Sequence, residues 1–253
     1  MNRPFRGRRL RLASVYPCLT IAKMNRITDE MMLCSHNAVA IFCSQRPLHV
    51  RYARDELICQ SGSYAAGLYL IQYGLVDEST QDPRVPSDVV QHNLLSGNDL
   101  IGLEILLEPK EDLYQTSCRA LTDTELLFVE RATFAEALAQ DYDLNRYVLA
   151  ALAARHFALQ RSTWRQSAPP RERLCSLLLD VVASVGRRNE RDDGTYLLPA
   201  AINQRMLSQL ANLSLRQLRS TYDTLDGVRM DRNETLLISP ERLLAERAAD
   251  SML

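Results

Sequence analysis

The texture of the sequence changes once, near residue 133, and this change constrains the fold more than any other feature. From about residue 35 to 130, short apolar runs are separated by glycines, which is typical of β-strands joined by tight turns. From residue 133 to 166 there is no glycine or proline and alanine is frequent, which predicts a helix. The chain is therefore expected to form a β domain followed by a helical part.

Alternating or continuous apolar runs predict the individual strands of the β part. These runs lie at residues 48–52, 68–71, 74–76, 89–95, 100–107 and 126–129. Several short strands at regular spacing with glycine turns indicate a small antiparallel β-roll or sandwich.

The predicted long helix carries apolar and histidine side chains at the 3-4-3 spacing of a coiled-coil seam. The seam consists of Leu149, Leu152, His156 and Leu159. Because such a helix between two domains favours a dimer contact, residues 133–168 are interpreted as a dimerisation segment and hinge. The alternative is a helix that packs on its own domain.

A proline pair ends this helix, since Ala168 is followed by Pro169 and Pro170 and proline does not continue a helix. Residues 171–185 then predict another helix, which ends near Gly186. Its inward face is formed by Leu174, Leu177, Leu178, Val181 and Val182.

Residues 203–225 predict two short helices joined by a tight turn, with a helix at 203–210, a turn at 211–213 and a helix at 214–225. Their inward faces are formed by Met206, Leu207 and Leu210, and by Leu218, Tyr222 and Leu225. Ser214 is a favourable N-cap for the second helix. This pattern is typical of a helix-turn-helix, and residues 228–238, after Gly227, predict a β-hairpin wing beside it.

The outward face of the second helix carries residue types that read DNA. Between Gly194 and Tyr222 there are three arginines and no acidic residue, so positive charge is concentrated there. Arginine recognises guanine and glutamine recognises adenine, usually from the N-terminal end of a recognition helix. We expect contacts to DNA from Ser214, Leu215, Arg216, Gln217, Arg219 and Ser220, and contacts to its backbone from Gln204 and Arg205. The alternative is an ordinary helical pair with solvated arginines.

Composition excludes several other classes of protein. With 30 Lys and Arg against 31 Asp and Glu, a general cationic nucleic-acid binder is not expected, although binding depends on the local patch. No apolar run approaches the ~18–20 residues of a membrane helix, so no membrane contact is predicted. Phosphate loops, metal-ligand spacings and nucleophile motifs are missing from the sequence, so no catalytic residue or metal ligand is assigned and no enzyme is expected.

The six cysteines, at positions 18, 34, 43, 59, 118 and 175, are unevenly spaced and form no C-x-x-C. They indicate a reducing, cytoplasmic location with free thiols. Residues 1–30 begin with a basic stretch and are interpreted as a disordered extension. The alternatives are an arm that contacts nucleic acid or membrane, a transit peptide, or a chain that starts at Met24.

The order of these elements resembles the Crp/Fnr family of bacterial transcription regulators, over roughly residues 40–240. The matching segments are GLYLI at 67–71, GLV at 74–76, GNDLIG at 97–102, CRALT at 118–122, ERL at 172–174 and the helix-turn-helix. The resemblance implies an α+β fold, with a cyclic-nucleotide-binding-like β-roll at 31–132 and a winged helix-turn-helix at 169–253. It also implies a homodimer that binds an inverted-repeat operator in double-stranded DNA, and RNA polymerase as a partner if the protein is an activator.

The resemblance places an effector site at Gly102, Glu104, Tyr114, Gln115 and Thr116, but the residue types depart from the family pattern. Cyclic-nucleotide members have a Gly-Glu pair and a later Arg-Ser or Arg-Thr pair. Here the pair is Gly102-Leu103, with Glu104 one position later than the family pattern places it, and Tyr114-Gln115 replace the arginine pair. A phosphate without an arginine partner loses its charge-assisted hydrogen bonds, so a response to cyclic AMP is not expected.

Three alternatives for the sensor stay open. The first is a redox-active thiol at Cys118 or Cys59. The second is a small apolar or haem-like ligand, and His36, His49, His92 or a cysteine is equally available as an axial haem ligand. The third is a degenerate, effector-independent roll. The recognition helix also departs from the family pattern. Better-known members have an Arg-Glu or Val-Glu pair just after the N-cap, whereas Leu215-Arg216 follow Ser214 here. The operator should therefore differ from the best-known consensus.

Overall fold

The computed structural model describes residues 42, 44–81, 90–106, 112–189, 194–230 and 235–250. All of them belong to one compact unit, Ala38–Leu253. The basic extension predicted at residues 1–30 lies outside the described residues, as does His36.

The first part of this unit is a roll of two antiparallel four-stranded sheets. The sheet orders are β1-β8-β3-β6 and β2-β7-β4-β5. The strands are β1 (Leu48–Tyr52), β2 (Leu57–Cys59), β3 (Gly67–Tyr73), β4 (Val76–Gln81), β5 (Val90–Leu95), β6 (Leu100–Ile101), β7 (Ser117–Ala120) and β8 (Thr124–Glu130). The inner faces of both sheets share one apolar core, so the predicted β-roll is confirmed.

The strand predictions hold with two errors and two omissions. The run at 74–76 is shifted, because only Val76 of it lies in a strand and β4 continues to Gln81. A strand over residues 100–107 is wrong, because β6 ends at Ile101 and a 3₁₀ helix follows at Leu103–Leu106. The chain turns at Gly102, where φ is +86°. Since Leu100, Ile101 and Leu103 are all buried, an apolar run alone does not distinguish strand from turn here. The short strands β2 and β7 lack a clear alternating pattern and were not predicted.

The helical segment predicted at residues 133–166 is confirmed, and it consists of two helices, α1 (Arg131–Gln140) and α2 (Tyr142–Gln166). The break is at Asp141, which has extended backbone angles. Its carboxylate accepts hydrogen bonds from the backbone N–H groups of Asp143 at 2.9 Å and Leu144 at 3.0 Å. An aspartate N-cap therefore starts α2 where the sequence offers neither glycine nor proline.

The helices α1 and α2 begin on the roll and extend its core. Phe134, Leu144 and Val148 are buried together with the inner faces of the two sheets. The apolar core of the roll therefore continues past residue 132.

The second part of the unit combines helices with a small antiparallel sheet of order β11-β12-β10-β9. Its elements are α3 (Pro170–Val185), β9 (Arg187–Arg188), β10 (Tyr196–Leu197), α4 (Gln204–Ala211), α5 (Leu215–Tyr222), β11 (Val228–Met230), β12 (Leu236–Ile238) and α6 (Pro240–Asp250). The inward face predicted for α3 is buried in a second core. The predicted wing is present, because β11 and β12 pair antiparallel from Val228–Ile238 to Met230–Leu236.

The helix-turn-helix matches its prediction with small shifts at the helix ends. Ser214 is the N-cap of α5, as predicted, and Asn203, which the prediction placed in the first helix, is the N-cap of α4. Asn212 makes the turn in a left-handed conformation with φ of +50°. The second helix ends at Tyr222 instead of residue 225, yet Leu225 is still buried in the core.

Candidate functional site

The N-terminus of α5 is held by a capping box between Ser214 and Gln217. The Ser214 hydroxyl oxygen accepts from the backbone N–H of Gln217 at 3.2 Å, and Gln217 Oε1 accepts from the backbone N–H of Ser214 at 3.0 Å. A bidentate contact to adenine needs this same amide oxygen. Gln217 is thus a capping residue in this conformation, and a base contact from it stays a prediction. The S-x-x-Q spacing is a sequence signal that predicts this role.

The outward side chains of α5 form an exposed basic face. Leu215, Arg216, Arg219 and Ser220 are all exposed. Arg219 donates from Nε to Oε1 of Gln204 at 3.1 Å, which ties α5 to the first residue of α4. The Ser220 hydroxyl donates to the Gln217 carbonyl of the preceding turn at 3.0 Å, so its proton is used within its own helix.

A cleft of about 520 Å³ separates this face from the wing. Arg205, Leu215 and Arg219 line the helical side, and Met230 lines the side of the wing. Leu215 and Met230 are 44% and 50% exposed, so each presents an apolar group to the cleft. We call Arg205, Leu215, Arg216, Arg219 and Met230 the basic recognition face. Met230 belongs to it only through folding, and sequence reasoning missed it.

Arg173 connects the hinge to the helix-turn-helix. Its guanidinium donates to the carbonyls of Gln166 at 2.8 Å and Ala168 at 3.0 Å, at the end of α2. It also donates to the carbonyl of Asn212 at 2.9 Å, in the turn between α4 and α5. One side chain therefore fixes the recognition helices relative to the long helix.

The predicted seam of α2 is partly exposed to solvent and partly packed against the roll. Leu149 is 65% exposed, Leu159 is 42% exposed, and His156 is exposed beside them. Leu152 is half-buried and packs against the roll core. Phe157 and Trp164 of the same helix are also exposed, at 57% and 56%, and sequence reasoning missed both.

In the roll, the effector residues expected from the resemblance are close together but closely packed. The Tyr114 ring is buried, and its hydroxyl donates to the carbonyl of Gly67 at 2.7 Å. A Cβ placed on Gly102 would lie 3.0 Å from that ring. Burial raises the pKa of Tyr114 to about 12. Gln115 is exposed on the other side of the chain.

The other two expected effector residues, Glu104 and Thr116, belong to a polar network centred on Thr116. Its hydroxyl oxygen lies 3.2 Å from Oε1 of Glu104 and 3.4 Å from Oε1 of Glu78. Glu78 is buried in β4 and forms an ion pair with Arg155, which reaches in from α2. Arg155 also donates to the carbonyl of Leu100 at 3.3 Å, and burial lowers its pKa.

Among the described residues, no cluster of three or more histidine, cysteine, aspartate or glutamate side chains is arranged for a metal ion. Nor does any described helix have the length and apolar character of a membrane span. Of the histidines considered for haem, His92 hydrogen-bonds Asp77 at 3.0 Å and His49 is exposed on β1.

Comparison with known proteins gives one domain family and several similar structures. Residues 49–141 match the family model for the cyclic nucleotide-binding domain. FixK2 from Bradyrhizobium japonicum superposes with a TM-score of 0.65 at 17% identity, covering 79% of this chain and 96% of that one. The search of curated sequences found no match.

Two further structures match this chain over nearly their whole length. TTHB099, a CRP-family transcriptional regulator from Thermus thermophilus, has a TM-score of 0.62 at 18% identity, covering 79% of this chain and 96% of that one. The c-di-GMP-responsive regulator CLP from Xanthomonas campestris has a TM-score of 0.63 at 14% identity, covering 80% and 98%. At such identities the likeness establishes the fold.

The chain therefore has the Crp/Fnr fold, in which a β-roll is joined through a long helix to a winged helix-turn-helix. The roll is a cyclic nucleotide-binding-type domain. Both findings confirm the fold that the resemblance implied.

Proposed function

We propose that the chain is a sequence-specific DNA-binding transcription regulator that acts as a homodimer. The observation that carries this proposal is the basic recognition face on α5 and the wing. It concentrates exposed arginines in a chain whose net charge is −1. A capped helix with its N-terminal residues exposed beside a wing is suited to insertion into a major groove.

The residues of this face are assigned different roles in DNA contact. Arg216 is exposed near the start of α5 and is suited to a bidentate contact with guanine. Arg219 is oriented by Gln204, and Arg205 at the start of α4 is suited to a phosphate. The exposed apolar side chain of Leu215 is suited to the methyl group of thymine.

In vitro selection from random duplex DNA tests the proposal. The wild-type protein is expected to enrich an inverted repeat, and the Arg216→Ala/Arg219→Ala variant is expected to enrich none. Arg242→Ala, an exposed arginine of the same domain on α6, is the matched control and should leave selection unchanged. On the selected operator, Arg216→Ala should cost about 1–3 kcal/mol of binding free energy. Equal enrichment by wild type and double variant would refute the role of the face.

The role of Leu215 has its own test on the selected operator. Replacing thymine by uracil removes only the C5 methyl group, so wild-type affinity should fall at the contacted position. In the Leu215→Ala variant the same replacement should have no effect, because the partner of the methyl group is gone. Equal sensitivity of both proteins to uracil would assign the methyl contact elsewhere.

We assign the dimer contact to the exposed apolar surface of α2, formed by Leu149, Phe157 and Trp164. Large exposed apolar patches mark interaction sites, and a twofold dimer matches an inverted repeat. Leu149→Glu is expected to halve the mass measured by sedimentation. Leu48→Glu on the roll, at 64% exposure against 65% for Leu149, is the control and should leave the mass unchanged. A monomeric wild-type protein would refute this assignment.

We further propose that the roll does not bind cyclic nucleotides and that DNA binding needs no added effector. Tyr114 fills the space beside Gly102, and Arg155 is already neutralised by Glu78. A cyclic phosphate would also meet the Glu104 carboxylate, which opposes its charge. Calorimetric titration with cyclic AMP, cyclic GMP and c-di-GMP should give no binding heat. The protein as purified should bind its operator, whether as an activator that contacts RNA polymerase or as a repressor.

A further inference from the structure

Two cysteines of the roll lie side by side, although 59 positions separate Cys59 and Cys118 in the sequence. They are cross-strand partners in the antiparallel pair of β2 and β7. Directly opposite residues point to the same face of a sheet. Both are free thiols, with exposures of 6% for Cys59 and 0% for Cys118.

The backbone geometry of such a pair is compatible with a disulfide. Opposite residues of an antiparallel ladder have Cα atoms ~4.5–5.5 Å apart. Disulfides span Cα separations of ~4.4–6.8 Å but need Cβ atoms ~3.8 Å apart, so the strands must draw slightly closer. The register shift between Leu57 and Cys59 interrupts the ladder at this point and permits the adjustment.

Access to the pair is provided by its position. The strand β2 has three residues and stands at the edge of its sheet, so it is held from one side. Short edge strands open at low cost compared with central ones. Cys59 on this strand is the thiol that solvent reaches first, whereas Cys118 on β7 lies behind it.

We propose that Cys59 and Cys118 form a dithiol that hydrogen peroxide converts to a disulfide. The Cys59 thiolate attacks one peroxide oxygen, so that an S–O bond forms, the O–O bond breaks, and hydroxide takes up the released proton as water. The Cys118 sulfur then attacks the Cys59 sulfenic acid, forming the S–S bond and breaking the S–O bond. The second hydroxide leaves as water with the Cys118 proton, so that two thiols and one peroxide give one disulfide and two waters.

The environment of the pair assigns this order of attack. Hydrogen bonding from Cys59 and burial both raise the pKa of Cys118, which disfavours its thiolate. A thiol that stays protonated is a poor first nucleophile, since the thiolate is the reactive form. Cys118 therefore completes the disulfide, because its neighbour is already in place.

The pair is connected to the contact between the roll and α2. The Cys118 sulfur lies 4.0 Å from the Thr116 hydroxyl oxygen, and the Cys59 sulfur lies 3.9 Å from the Thr116 carbonyl oxygen. Thr116 in turn contacts Glu78, the ion-pair partner of Arg155 on α2. Drawing β2 toward β7 thus acts on the residue that links the sheet to the long helix.

Mass spectrometry of the full chain tests the proposal independently of DNA binding. The reduced protein is treated with hydrogen peroxide over a time course, remaining thiols are alkylated after denaturation, and the digest is mapped without reductant. We expect a peptide pair joined through Cys59 and Cys118 that is two hydrogen atoms lighter than the sum of its reduced peptides. A thiol reductant should reverse it.

Three variants sharpen the test. Cys118→Ser should leave Cys59 as a trappable sulfenic acid, and Cys59→Ser should leave Cys118 unoxidised over the same time course. Cys175, 3% exposed in the second core, is the matched buried thiol, and Cys175→Ser should not change the yield of the pair. Should either single variant not fold, the wild-type peptide map remains decisive.

Free glutathione in the same tube serves as a control that the peroxide is active. The proposal is overturned if Cys59 and Cys118 both stay reduced at the end of the time course, when the glutathione is fully oxidised. It is also overturned if either cysteine instead pairs with one of the other four, or if both proceed to sulfinic acid without forming the disulfide. Operator binding by the oxidised and reduced proteins is then compared, and a difference between them assigns the disulfide a role in regulation.

Discussion

The ion pair between Arg155 of α2 and Glu78 of β4 is where the long helix is fastened to the inside of the roll, and replacing one partner should destabilise the protein strongly. The side chains are 19% and 5% exposed, so neither charge is well solvated. We consider Arg155→Leu, which removes the guanidinium but keeps an apolar side chain on the helix. Among the described residues, the buried carboxylate of Glu78 would then keep Asn93, at 3.2 Å, and Thr116 as hydrogen-bond donors.

The expected cost follows from leaving a charge buried without its partner. Breaking a buried pair in this way typically costs about 3–5 kcal/mol of unfolding free energy. The lower end, about 3 kcal/mol, is expected here because Asn93 and Thr116 still donate. Replacing both partners, as in Glu78→Leu/Arg155→Leu, removes both buried charges and should lie within about 2 kcal/mol of wild type.

Equilibrium urea unfolding measures these values. The single tryptophan, Trp164 in α2, and far-UV circular dichroism give two probes whose transitions should coincide. Arg51→Leu is the matched control, because Arg51 pairs with Glu125 at 2.9 Å but is 82% exposed. An exposed pair of this kind is worth about 1 kcal/mol or less.

The reasoning is refuted by either of two results. One is an Arg155→Leu variant no less stable than Arg51→Leu, which would mean that the pair is solvated in solution. The other is a double variant whose loss equals the sum of the two single losses, because a coupled buried pair requires a coupling energy of about 2 kcal/mol or more.

Three further predictions rest on local geometry. Gly102→Ala should cost about 1–3 kcal/mol in urea unfolding, because φ is +86° and the new Cβ meets the Tyr114 ring, whereas Gly97→Ala, with its nearest atom at 3.6 Å, should be harmless. Burial raises the pKa of Asp99 to about 6 from 3.8, so between these pH values the folded state binds more protons than the unfolded state. The free energy of unfolding should therefore fall as pH rises from about 4 to 6. Asp99→Asn should flatten this pH dependence, and an unchanged slope would contradict the prediction. Ser214→Ala should lower stability by about 1 kcal/mol and weaken operator binding, whereas Ser220→Ala should change stability by less than half as much; equal effects would contradict the capping role.

Elements with strong local signals were predictable from the sequence. The helix α3 has an apolar stripe between a proline at its start and a glycine at its end, and α5 has a serine cap. These signals act between residues three or four positions apart, so the sequence carries them directly. The capping role of Gln217 was within reach for the same reason, since it depends on one side chain and one backbone group of the same turn.

Elements without a local signal were missed or misjudged. The break at Asp141 depends on tertiary packing, because Phe134 before the break and Leu144 after it are both buried in the roll core. The extent of β6 depends on Gly102, whose left-handed turn is not evident in an apolar run. The exposure of Phe157 and Trp164 depends on which face of α2 packs on the roll.

The sequence by itself determined the order of the elements, the amphipathic faces and the concentration of arginines at the helix-turn-helix, because these are properties of neighbouring residues. The tertiary structure alone decided which distant polar groups meet. It brought Glu78 to Arg155 across 77 positions and paired Cys59 with Cys118. Sheet register and helix docking select such contacts through the packing of the whole core, and no local pattern encodes them.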